Sequence, residues 1–456
     1  MLRKLSLLLA LTAASLAQTA KNSKTKTPPP ATKSQSIVLR GGKLLTITHG
    51  VIENGVLVMQ NGKITAVGAA GSVSIPNDAK LVDVTGMTVY PGLIDSETHL
   101  GLTEVSADPM SNDLVELSDE IMPHMRVSDA FHAETTLIPV ARINGVTNAV
   151  VVPSSQDTLP GQDSFIQLAG GSSEEMLMVR DIAMPLNFTG RQRRNEGPSQ
   201  THKFPSTRMG MAAQLRQAFL DALRYEQRMA VRGKQKSDDG DEQQEEQGEG
   251  SEQGEKGRSS STRNLKLEAL LPYLHRQKPV VVAAEEPNDL LTAMELANEF
   301  HLKIILNHLT HSASLLDKVA ATGLPVIVGP IYEQPKEWER YDAVFKLPAE
   351  MARRGIKIAF ASYDAHNSRN LPYAAGYAVA FGLPYDEALK AMTINPAQIW
   401  GVDDRLGSLD PGKLGNVVVA NGDPLDVKTD VKHVFINGEE VPLVSKQTEL
   451  RDQYGR

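Results

Sequence analysis

Pro91-Gly92-Leu93-Ile94-Asp95-Ser96-Glu97-Thr98-His99 is the stretch whose reading decides the fold: an apolar strand that ends in a carboxylate and an imidazole. Side chains two residues apart on a strand share a face, so Glu97 and His99 would sit together at the strand end and hold one ion. A short apolar run before a polar pair also arises by chance. Its weight therefore depends on what flanks it.

On its N-terminal side, residues 36–90 are short apolar strands broken by the turn pairs Asn54-Gly55 and Asn61-Gly62, which supply the positive φ that tight hairpins need. Similar strands return at 416–420 and 432–436, followed by Asn437-Gly438. Strands at both chain ends predict one composite β-sandwich, built from residues 36–90 and completed by residues 405–445. Between them, residues 147–152, 280–284, 303–307, 324–328 and 357–361 read as short buried parallel strands. Helical spacing lies between them, as in Leu290, Met294, Ala297 and Phe300. The α/β run over 91–404 matches the size of a TIM (β/α)8 barrel, about 250 residues. A doubly wound open sheet competes, but no Gly-rich phosphate turn follows an early strand.

The chain start predicts export. Arg3 and Lys4 precede an apolar run over 5–16, and Ser15-Leu16-Ala17 offers small residues to a signal peptidase. A signal peptide over 1–17 and a periplasmic or extracellular location follow. A membrane anchor is the competing reading, but the run is shorter than the roughly 20 residues a span needs. Residues 18–35, with Pro28-Pro29-Pro30, read as a disordered linker. A second disordered segment is expected over 234–262, where an Asp, Glu, Gln, Gly and Ser tract cannot bury enough apolar surface to order itself. The net charge of -8 gives no basic footprint for nucleic acid. There is no cysteine, so thiolate nucleophiles, disulfides and Cys-type zinc sites are excluded, and any metal must use His and carboxylate.

Barrel enzymes carry their chemistry at the C-terminal ends of strands. Five places qualify: Glu97 with His99, Glu285 with Glu286, His308 with His311, Tyr332 with Glu333, and Asp364 with His366. Imidazoles and carboxylates from separate strands are what a hydrolytic divalent-metal site requires. The ion binds a water and lowers its pKa, and a neighbouring carboxylate takes the proton during attack on a carbonyl.

These motifs resemble the amidohydrolase superfamily, and within it the imidazolonepropionase-like branch. PGLID-x-E-T-H resembles that family's PGLID-x-H-x-H. Residues 361–372, from Ala361-Ser362-Tyr363-Asp364 to Leu371-Pro372, resemble its last-strand Asp motif. Glu387-Ala388-Leu389, Thr393-x-Asn395-Pro396-Ala397 and the segment Leu406-Gly407-Ser408-Leu409-Asp410-Pro411-Gly412-Lys413 resemble its closing helix and the return to the sandwich. The resemblance covers nearly all of 36–441. It implies a metal-dependent hydrolase of carbon–nitrogen bonds in amides, cyclic amides or amidines.

Carried over by residue, the resemblance makes His99 the second His of the pair, His308 the sixth-strand His, and Asp364 the metal-binding proton shuttle. Glu97 stands where the first His would be, and Ala283 or its neighbour where the fifth-strand His would be. Too few donors remain for the family's binuclear site, and three readings compete. One is a mononuclear zinc, manganese or iron site on Glu97, His99, His308 and Asp364, with Glu285 as a stand-in for the lost imidazole. Another is a degenerate barrel without metal, acting in binding. The last is a non-catalytic partner subunit in a heteromer with an intact amidohydrolase; a homo-oligomer is the other assembly considered. Substrate contact is expected from His366, Asn367 and Arg369 on a small molecule at the mouth. His124, His132 and Arg191-Gln192-Arg193-Arg194 are expected to be solvated surface groups, and Lys346 falls near a strand end with no partner identifiable from the sequence.

Overall fold

The computed structural model describes residues 36–105, 107–188, 205, 207–238 and 263–455. The expected signal peptide and linker, the Arg191–Arg194 tract and all but the start of the acidic segment lie outside these residues. That start is helical. The helix Arg208–Asp238 continues through residues 234–238, where Lys and Gln are good helix formers, so the boundary expected at 234 is corrected. No helix among the described residues is long and apolar enough to cross a membrane.

Eight strands from the two chain ends form one sheet. The N-terminal segment supplies β1 (Ile37–Leu45), β2 (Val51–Gln60), β3 (Lys63–Ala69), β4 (Lys80–Asp83) and β5 (Thr88–Pro91). From the C-terminal segment come β14 (Val417–Ala420), β15 (Val431–Ile436) and β16 (Glu439–Val441), and β14 pairs with β5. Asn61-Gly62 and Asn437-Gly438 both have positive φ and turn their hairpins as expected. Asn54-Gly55 does not turn a hairpin, because it lies inside β2, where Gly55 faces the Leu44 side chain of β1. The sheet wraps a core of Leu39, Leu57, Val417 and Phe435.

A second eight-stranded sheet, β6 to β13 in sequence order, makes a nearly closed barrel. Its strands are β6 (Leu93–Thr98), β7 (Val146–Val151), β8 (Asp163–Gln167), β9 (Leu177–Asn187), β10 (Val280–Ala284), β11 (Ile304–His308), β12 (Val326–Val328) and β13 (Ile358–Phe360). Alternation sorts their side chains. Val282, Leu306, Val328 and Phe360 join the core that includes helix residues Leu290 and Leu347, whereas Val281, Ile305 and Ile327 cluster with Ile94 and Phe165. Each such aliphatic side chain, fully buried, contributes about 1.5–3 kcal/mol.

One strand departs from the all-parallel pattern. β8 pairs antiparallel with both β7 and β9. The segments joining it to its neighbours are too short for the helical crossover a parallel pair needs, whereas antiparallel neighbours need none. The reversal places the first residue of β8, Asp163, beside the C-terminal end of β7. The gap between β13 and β6 is bridged by the chain itself. Phe360 N donates to Ala391 O (3.0 Å) and Ile94 N to Met392 O (2.9 Å), and at the other end Tyr363 N donates to Glu97 O (2.9 Å).

Candidate functional site

The glycine of the opening motif is a matter of space: a Cβ on Gly92 would come within 2.1 Å of Thr147 Oγ1. β6 then passes directly into the mouth. His99 Nδ1 lies 2.9 Å from the Val152 carbonyl, so Nδ1 carries the proton and Nε2 keeps its lone pair. Burial lowers its pKa, against the pull of Asp364 nearby. Neutral imidazole is the ligating form.

Glu97 has a different partner from the one its position suggests. Its Oε2 accepts a hydrogen bond from Asn307 Nδ2, while Asn307 Oδ1 accepts from Tyr363 Oη (2.7 Å) and from the His308 backbone N (2.8 Å). Burial, with Asp95 adding to it, pushes the Glu97 carboxyl up to about 8. At neutral pH it is protonated, and a neutral carboxyl is a poor metal ligand. Asp95 is the brace between first and last strands: its oxygens accept from Ser362 N (2.9 Å) and Ser368 Oγ (2.7 Å), and burial raises it to about 6.

His308 reaches the mouth through strained backbone. It and Leu309 have φ of 68° and 57°, a left-handed turn that ends β11 and re-aims the ring onto Tyr363, 4.5 Å between centroids. Both ring nitrogens are buried without a hydrogen bond; the Gly329 carbonyl is close by but does not meet hydrogen-bond geometry. Burial draws this imidazole down to about 4. Asp364, after β13, keeps a carboxylate 44% exposed, capped by Asn367 N (3.0 Å) and by His366 N.

The other candidates divide clearly. Asn367 lies against Asp364, its Nδ2 3.3 Å from Oδ2, and His366 is half exposed beside it. Arg369 turns away and donates to Gln447 Oε1 (2.6 Å), so the structure does not bring it to the mouth. Ala283, paired with Asn307, is buried and has no donor. Glu285 does not replace it: its carboxyl, raised by burial and Glu333, sits with His311 and Lys336. His311 Nδ1 pairs with Glu339 (2.8 Å), and Lys336 lies 3.9 Å from Glu286. His124 is exposed, while His132 and Lys346 pair with Asp113 and Asp342.

Asp163 was not anticipated. It is fully buried, both carboxyl oxygens lack a partner, and desolvation, with Glu97 adding to it, raises its carboxyl well above the ordinary value. An aspartate two residues ahead of the apolar pair Phe165-Ile166 was the available signal, but only the reversed strand direction brings it toward Glu97.

The residues do not fit a binuclear centre, because Ala283 offers nothing and Glu97 is committed to Asn307. Among the described residues no three His, Asp or Glu side chains converge on one point. Two imidazoles do lie near one another: both ring nitrogens of His308 are buried without a partner, and His99 is near enough to depress its pKa further. Asp364 acts electrostatically on His99, and its carboxylate is held by its own loop.

The amidohydrolase family model matches residues 336–441. The chain is 25% identical over 429 residues to amidohydrolase tasK of Hapsidospora irregularis, covering 90% of this chain but 41% of that protein, so it spans under half of that relative's length. It is 26% identical over 419 residues to imidazolonepropionase of Symbiobacterium thermophilum, covering 84% and 90% of the two chains. A crystal structure of an amidohydrolase from Thermotoga maritima MSB8 superposes with a TM-score of 0.75 at 27% identity, over 89% of this chain and 99% of that one. Motif order, these relatives and the barrel geometry agree with one another: over most of its described length this chain is similar to amidohydrolases.

Proposed function

We propose that the chain hydrolyses a carbon–nitrogen bond of a non-peptide or cyclic amide at the barrel mouth, with one divalent ion, zinc by preference, held by His99, His308 and Asp364. The observation that carries this is the buried, unpartnered His308 imidazole beside His99. Burying a polar group without a partner costs a few kcal/mol, and an ion removes that cost. When bound, the ion supplies Lewis acidity toward the carbonyl and a water of lowered pKa.

The protein's own residues do the rest. Asp364, the solvent-facing carboxylate, accepts the water's proton and returns it to the leaving nitrogen. Tyr363, Asn307 and protonated Glu97 form a fixed floor: the Tyr363 hydroxyl holds the Asn307 carbonyl, and the Asn307 amide holds Glu97. The ring of Tyr363 in turn backs His308. In this reading Glu97 is a positioning residue and not a ligand.

Asp364→Asn tests the assignment: with zinc supplied, turnover on a panel of amides and cyclic amides should fall about 10²- to 10⁴-fold, while KM changes little. Unchanged turnover would remove Asp364 from the chemistry. A second reading, a metal-free barrel that binds ligand or an intact amidohydrolase partner, is favoured by the Glu97–Asn307 bond, which occupies a ligand position. The longer tasK relative leaves room for such a second unit.

A further inference from the structure

A cavity of about 220 Å³ opens in the long segment that leaves β6 after His99, and none of its lining residues is among those assigned to hydrolysis. Its walls are fixed by backbone. Leu102 N donates to His99 O (3.0 Å), Asp113 N to Leu102 O (2.8 Å), Glu104 N to Ser111 O (3.1 Å) and His132 N to Gly101 O (2.9 Å). Gly101, at φ 78°, makes room for Phe131, whose Cε2 lies 2.4 Å from where a Cβ would stand. The space is thus formed before any ligand arrives.

Three of its acceptors want a donor. Thr103 lines the cavity, is 6% exposed, and its Oγ1 has no hydrogen-bond partner among the described residues, an unfavourable state for a buried hydroxyl. Glu104 Oε1 accepts from Thr136 N (3.3 Å) and Thr136 Oγ1, and its Oε2 has no partner among the described residues. Glu134, exposed at the opening, has neither a hydrogen bond nor an ion pair among them. His132 is the one basic group in the lining, and its Nε2 pairs with Asp113 Oδ2 (3.0 Å). An ammonium carries three N–H donors, no acceptor, and a charge that offsets the two carboxylates, whereas an anion would be repelled. A bare calcium ion needs about six to eight oxygens, and no group of three His, Asp or Glu side chains gathers among the described residues.

We propose that this cavity binds the ammonium end of a small aliphatic primary amine, its N–H bonds meeting Glu104, Glu134 and Thr103 Oγ1 and its short chain filling the rest. The residues that hold it are separate from His99, His308 and Asp364, so binding is measured independently of turnover.

Isothermal titration of the full chain with n-butylamine at neutral pH and low salt tests this. Two controls separate the features: n-butanol removes the charge, and tetramethylammonium keeps the charge but has no N–H donor. Butylamine should bind saturably with Kd of about 1 mM or tighter, and both controls about tenfold more weakly or less. Thr103→Val should weaken butylamine about tenfold and, because the hydroxyl has no protein partner to lose, should leave the urea midpoint no lower. Glu134→Gln, at an exposed side chain, should weaken it about threefold to tenfold, and added salt should do the same. No saturable butylamine binding, equal binding of tetramethylammonium, or indifference to either variant overturns the proposal. So does a lower urea midpoint in Thr103→Val, which gives the hydroxyl a structural role, and so does displacement of the amine by calcium chloride, which assigns the cavity to a metal ion.

Discussion

A protonated Glu97 ties stability to pH in a direction opposite to that of most surface carboxylates. Its folded-state value of about 8 lies above the ordinary 4.5, and that of Asp95, about 6, lies above 3.8. The folded chain therefore holds these protons after the unfolded chain has lost them. Their contribution is complete below the ordinary carboxylate values and is lost as pH rises through 6 and then 8. His308 acts in the other sense: its value falls from 6.5 to about 4, so its contribution is full above 6.5 and is lost as pH falls through 4. Above about pH 6.5 Glu97 dominates, and urea unfolding of metal-free protein should show about 2 kcal/mol less stability near pH 8. Glu97→Gln should remove most of that slope; an equal slope in the variant would assign it to another group. The identity of Glu97 as the anomalous residue is legible from the motif. Its partner is not, because Asn307 is 210 positions away in sequence and meets it only across the closed barrel.

At the level of elements, what was readable depended on local pattern. The β-branched run Val280–Ala284 is a strand to the residue, because nothing but a buried strand suits so short an unbroken apolar run. β8 escaped the same reasoning. Its apolar residues suggest a strand but not a direction, and direction is what brings Asp163 to the mouth. The join between the end sheet and the barrel also needed the structure. Asn416 is buried, donates to Asn148 Oδ1 (2.8 Å) and accepts from Asn437 N (2.8 Å), linking a strand of the barrel to a hairpin of the sheet. Asn416→Ala leaves the Asn437 N–H unpaired and takes one of two donors from Asn148 Oδ1, which Thr147 Oγ1 still serves, and should cost about 2 kcal/mol in urea unfolding. A loss within experimental error would show that the two layers are joined by apolar packing alone.

Taken as a whole, the molecule has the barrel and end sheet of its amidohydrolase relatives, with Glu97 and Ala283 where imidazoles were expected. Both chain ends meet in one sheet, and strand ends bring His99, His308 and Asp364 to one mouth. The scaffold was legible because three motifs in the right order constrain a chain of this length tightly. The centre was not, because losing the imidazoles at Glu97 and Ala283 fits both a smaller metal site and none. Metal content of the purified chain, with His308→Ala beside it, addresses that choice most directly. The account predicts about one divalent ion per chain, with affinity lost in the variant. Protein that takes up no zinc or manganese, or binds it equally well without His308, would contradict it.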